Sequence, residues 1–95
     1  MSAGVDEVRP VAGAGRSAVM TLLDRAMADA ARSHFNAAAD VSAVDLHFAF
    51  MRPATGELAV TARTTGGGRS VCFCEASIID AAGQVAAHAM GTFRR

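Results

Sequence analysis

From residue 17 onward this chain changes its apolar rhythm once, and that single change restricts its fold more than any other feature. Val19, Leu22, Leu23, Ala26, Met27 and Ala30 recur at helical spacing and form one apolar stripe. From Val41 the rhythm is that of strands. Val44, Leu46, Phe48 and Phe50 share one face, and Ala43, Asp45, His47 and Ala49 share the other. A helix with one apolar stripe, followed by strands with one apolar face each, predicts an α+β domain whose sheet is covered by the helix.

The punctuation agrees. Gly13-Ala14-Gly15 marks a turn into the helix, Ser17 is a plausible N-cap, and the helix is expected to end near His34–Asn36. Arg25 and Asp29 stand four apart and are expected to pair. Arg52-Pro53 stops the first strand, 41–51. The next runs from Gly56 to Thr65 and breaks at Gly66-Gly67-Gly68, which suggests a hairpin turn or a bulge. Arg69–Asp80 is the third, Asp80-Ala81-Ala82-Gly83 is a turn, and Gln84–Phe93 is the last. The expected organisation is one domain over 1–95: a lead-in over 1–16, a helix over 17–35 and four strands over 41–94. The lead-in has room for a short strand around residues 7–12.

Composition narrows the function classes. Apolar residues make up 52% of 95, with no Trp or Tyr, so Ala, Val, Leu, Met and Phe must fill the core. That much apolar surface on so short a chain suggests burial against a partner. The formal charge is zero, every basic residue is Arg, and no basic stripe appears, which argues against nucleic acid. Cys72 and Cys74 share a strand face, too close for an ordinary disulfide, and are expected to be buried small hydrophobes. Without further ligands they are no zinc site, and no cofactor is expected. No long apolar run or leader pattern is visible, so a soluble, cytoplasmic protein is expected, with no membrane partner.

Asp24 is the best candidate for chemistry. It stands early in the helix, after a glycine-containing loop. Unpaired amides at a helix start can hold a carbonyl oxygen as it gains charge. A nearby carboxylate can activate water or attack directly. Together these would hydrolyse an ester or thioester without a Ser or Cys nucleophile.

Five segments carry a resemblance: Thr-Leu-Leu-Asp-Arg-Ala-Met (21–27), Val-Asp-Leu-His-Phe-Ala-Phe-Met-Arg-Pro-Ala (44–54), Gly-Glu-Leu-Ala-Val-Thr-Ala-Arg (56–63), Gly-Arg-Ser-Val-Cys-Phe-Cys-Glu-Ala (68–76) and Asp-Ala-Ala-Gly-Gln-Val-Ala-Ala-His-Ala-Met-Gly-Thr-Phe (80–93). From about residue 15 to the end, the chain resembles the hotdog-fold acyl-CoA thioesterases of the phenylacetate-degradation type. The resemblance implies an antiparallel sheet wrapped around one long central helix, with a missing or reduced first strand. It implies a homodimer or homotetramer in which the strand after the helix meets its twin, and acyl-CoA bound in sites between subunits.

The resemblance also assigns roles. Asp24 falls where the family carries its general base or nucleophile. The family's His-Gly-Gly corresponds here to Gly15, Arg16 and Ser17. The His is gone, and the Arg16 amide becomes the oxyanion donor, with Gly15 and Ser17 beside it. Ser42 and Ala43 fall near a position that holds water in some relatives, and in the thioesterase reading Arg69 or another rim Arg binds CoA phosphates. The implied function is hydrolysis of acyl-CoA thioesters. The alternative is a noncatalytic hotdog module that binds acyl-CoA or serves in assembly, with a decayed motif. A dehydratase would want a His beside the acid, and no His lies near Asp24 in sequence.

Overall fold

A computed structural model describes residues 5–10, 15–36, 40–54 and 56–95. The chain runs β1 (Val5–Pro10), α1 (Arg16–Phe35), β2 (Ser42–Phe50), β3 (Glu57–Gly67), β4 (Val71–Ile79) and β5 (Val85–Arg94). The strands form one five-stranded sheet in the order β1-β3-β4-β5-β2. Every pairing is antiparallel. One helix laid against one antiparallel sheet is the hotdog arrangement. The reduced first strand is present as β1, paired with β3, and it lies slightly earlier than the 7–12 expected.

The apolar stripe of α1 is what the sheet wraps. Val19, Leu22, Leu23, Ala26, Met27, Ala30, Ala31 and Phe35 are all buried. Opposite them the sheet's inner face is built largely from small side chains: Ala62, Cys72, Cys74, Ala76, Ala87 and Ala89, all buried. Small residues there let the helix lie close, while Leu58, Val60, Ile78 and Phe93 fill the ends of the core. Gly91 belongs to the same logic. A Cβ there would stand 2.8 Å from Leu46 Cδ2, so glycine makes the space in which β2's leucine settles.

Three local expectations change. Gly15, not Ser17, is the N-cap, and the helix begins at Arg16. The Ser17 carbonyl instead accepts a hydrogen bond from Thr21 Oγ1 at 2.9 Å. Asp29 pairs with Arg32 at 2.7 Å rather than with Arg25, because the shorter three-residue step brings that guanidinium onto it. β2 is far less covered than a half-buried strand, with Val44 57% and Phe50 39% exposed, and Met51 just after it 53% exposed. It is an edge strand, and only its Leu46 and Phe48 pack in part against the core.

The turns are as expected. The helix closes at Asn36 in the left-handed region, whose amide bonds back to the Arg32 and Ser33 carbonyls. β3 carries an irregularity between Thr64 and Gly66 and ends at Gly67, whose φ of 138° only glycine adopts readily. A Cβ at Gly67 would meet the β4 backbone at 2.5 Å. Asp80 Oδ1 accepts from the amides of Ala82 and Gln84, fixing the β4–β5 turn.

Cys72 and Cys74 are free, buried and 3.9 Å apart at sulfur. Burial raises both thiol pKa values, and that of Cys74 is pushed up to about 12 from 9.0. A raised folded-state value means the stability is fully present below pH 9 and is lost as pH climbs toward 12. The chain has no Tyr or Lys to share that window. Equilibrium denaturation from pH 8 to 11 is therefore expected to show stability falling above pH 9, by up to about 1.4 kcal/mol per unit per thiol. Cys74→Ala is expected to flatten the fall. A flat wild-type profile contradicts the assignment. Separately, Leu23→Ala empties the centre of the core and is expected to cost about 3 kcal/mol in urea denaturation. A loss under about 1 kcal/mol would mean the helix is not seated as described.

Candidate active site

The start of α1 is electrostatically open. Gly15 caps with extended backbone and no side-chain hydrogen bond, and the first turn holds no acid. The Val19 amide closes on the Gly15 carbonyl at 3.2 Å, which leaves the amides before it outside the helical ladder. The N–H groups of a helix's first turn and the positive end of its dipole point the same way.

Further along, Ser17, Met20, Thr21 and Asp24 follow one another at steps of three, one and three, which brings them to one side of the helix. That side faces β2 across an open cavity of about 330 Å³, completed by Leu46 and Phe48. Asp24 is half-buried there, and among the described residues no ion pair engages it. A carboxylate in a largely apolar groove, with one hydroxyl of Thr21 and one of Ser17 nearby, is equipped to hold a water or meet a carbonyl.

Arg16 lines a second cavity of about 300 Å³ with Val19, Phe50, Met51, Arg52, Pro53, Ala54 and Ala87. Its guanidinium lies over the Phe50 ring, 5.4 Å from the centroid. Phe50 in turn stacks on Phe48 at 6.4 Å. The two aromatic rings thus form the partition between the Arg16 cavity and the Asp24 groove.

The structure brings Ser17 and Asp24 into one groove, and sets Gly15 and Arg16 at the helix start. It does not bring the remaining candidates to them within one chain. Ser42 and Ala43 lie at the opposite end of β2 from Phe50, paired with Arg94 and Phe93. Arg69 stands in the β3–β4 turn, where its carbonyl accepts from Arg95. That turn is beside the C-terminal end of α1, since His34 Nε2 lies 2.9 Å from the neighbouring Gly68 carbonyl. The helix start and Asp24 are themselves separated. Eight residues at 1.5 Å each put Arg16 and Asp24 about 12 Å apart along the axis.

Sequence reasoning missed part of the lining. Met20 and Thr21 were legible in principle, because positions three and four before Asp24 share its side of a helix. Phe50 and Arg52 carried no such signal, since only the fold carries the end of β2 to the start of α1. Away from this groove, His88 Nδ1 lies 2.9 Å from Ser77 Oγ on the outer sheet face, beside the Arg63–Glu75 ion pair. Among the described residues no cluster of three metal-ligating side chains occurs, and no helix is long and apolar enough to cross a membrane.

Comparison with known proteins fits this geometry. Among solved structures, a putative thioesterase from Ralstonia eutropha JMP134, a phenylacetic acid degradation-related protein, superposes with a TM-score of 0.83 at 20% identity, over 98% of this chain and 84% of its own. The PaaI protein of the Escherichia coli phenylacetic acid degradation operon gives 0.82 at 19% identity, over 93% of this chain and 69% of its own. A Streptococcus mutans protein solved with acetyl-CoA gives 0.82 at 15% identity, over 97% and 86%. In another thioesterase-superfamily structure the chain spans only 62% of the relative's length. At these identities the likeness is one of fold. No curated protein sequence matches the chain. A family model for the thioesterase superfamily matches residues 17–87, which take in α1 from Ser17 onward and all of β2 to β4. On that match, the chain belongs to the thioesterase superfamily.

Proposed function

We propose that the protein hydrolyses acyl-CoA thioesters in sites assembled from two copies of the chain. The observation that carries this reading is the position of Asp24: a half-buried carboxylate in a groove between α1 and an uncovered sheet edge. In the proposed reaction Asp24 either takes a proton from water as it attacks, or itself attacks the carbonyl carbon to give an anhydride that water cleaves. The carbonyl oxygen gains negative charge and is held by the Arg16 amide, with Gly15 and Ser17 framing the turn. The thiolate of CoA departs and is protonated, leaving a free acid.

Two copies are needed because the donors of one helix stand too far from its own acid to touch the same carbonyl. A helix start from one copy and an Asp24 from the other meets the requirement. β2 supplies the means. Its outer edge pairs with no strand among the described residues, and Val44 and Phe50 are exposed along it, with Met51 exposed just beyond. A twofold axis pairs β2 with itself in antiparallel fashion. The Ser42 end of one copy then runs toward the Phe50 end of the other. This is how Ser42 and Ala43 enter the proposed site as substrate contacts. Arg69 is assigned to CoA phosphates from the rim.

Asp24→Asn is expected to lower turnover of a series of acyl-CoAs by at least about 100-fold, the scale of losing an acid–base group. Equal activity of both forms would remove Asp24 from catalysis. CoA-ester affinity with no turnover in either form would leave a binding module instead. Light scattering at micromolar protein is expected to give at least twice the mass of one chain, and a monomer there would contradict a shared site.

A further inference from the structure

The cavity at Arg16 has a charge pattern that thioester hydrolysis does not itself require. Its lining is largely apolar, with Val19, Pro53, Ala54 and Ala87, yet two arginines, Arg16 and Arg52, also line it. Each is held by a neutral partner. Arg16 lies over the Phe50 ring, and Arg52 donates to Gln84 Oε1. No lining residue is acidic, and among the described residues neither cation is in an ion pair. Two like charges lining one cavity favour an anion within it. Guanidinium groups suit a carboxylate well, offering paired donors in a plane.

We propose that this cavity receives the acyl half of the substrate and selects short acyl chains that end in a carboxylate. The inference rests on the thioesterase reading, which makes the Arg16 amide the oxyanion donor. The guanidinium on that same residue then lies within one side chain's reach of the reacting carbonyl. A carboxylate a few carbons beyond the carbonyl falls within that reach. CoA's phosphates do not, because the long pantetheine arm carries them away on the sulfur side. A cavity of about 300 Å³ is at the small end of ligand pockets and suits a short chain rather than a nucleotide.

The test compares matched pairs, succinyl-CoA with butyryl-CoA and glutaryl-CoA with pentanoyl-CoA, by kcat/KM. Wild type is expected to prefer each diacid ester by at least about tenfold, the scale of a charge-assisted pair. Arg16→Gln and Arg52→Gln are each expected to erode that ratio, with circular dichroism melting used to verify the fold. Equal rates within each pair would overturn the selection while leaving thioester hydrolysis intact. Calorimetry with two nonhydrolysable thioethers, S-(3-carboxypropyl)-CoA and S-butyl-CoA, separates the two ideas. Tighter binding of the first, lost in Arg16→Gln, would sustain the selection even in a protein that hydrolyses nothing. Weakening of both thioethers alike in the variants would assign the arginines to CoA phosphates and overturn the proposal. So would failure of wild type to bind either compound.

Discussion

The fit of one helix into one concave sheet governs the rest of this molecule. The apolar stripe of α1 must be covered, and β3, β4 and β5 cover it with an inner face thinned over much of its area to alanine, cysteine and glycine. That thinning matters as much as hydrophobicity. Larger side chains at Ala76, Ala87 or Ala89 would hold the helix off the sheet and leave its stripe half wet. The close seating also consumes the helix's covering capacity. β2, at the end of the sheet, packs against the core only through Leu46 and Phe48, and its other residues stay exposed.

The same constraint creates both cavities. A helix that cannot reach over β2 leaves a trough between them, and the sidedness of α1 decides what lines it. Ser17, Thr21 and Asp24 flank the buried stripe, so they border the trough instead of vanishing into the core. Arg16 and Phe50 meet where the trough ends. Gly91 has a part too, because the space above it lets Leu46 sink and keeps the groove beside Asp24 from filling.

The fold was legible in the sequence because its two periodicities are clean and its breaks are glycine and proline. The inward face of β3 follows from Leu58, Val60 and Ala62, and that of β4 from Cys72 and Cys74, exactly as strand alternation requires. The site was legible only in part. Asp24 stood out as an acid early in an apolar helix, but its neighbours Leu46 and Phe48 are brought to it by tertiary packing across a long separation. The partner of Asp29 was misjudged because three-residue and four-residue steps are nearly equivalent on a helix, and rotamers decide between them. The cap moved from Ser17 to Gly15 because a serine inside the first turn has no side-chain advantage once the preceding glycine supplies the extended backbone. The burial of β2 was overestimated because alternation reveals which side is apolar and says nothing of whether anything lies against it.

An open β2 edge beside an acid that its own helix start cannot reach has a kinetic corollary. In the shared-site reading, the number of working centres follows the population of pairs and not of chains. In dilute solution, where most chains are solitary, that population grows with the square of the protein present. Output would then rise more steeply than expression, and a modest change in abundance would switch the chemistry on or off without any effector.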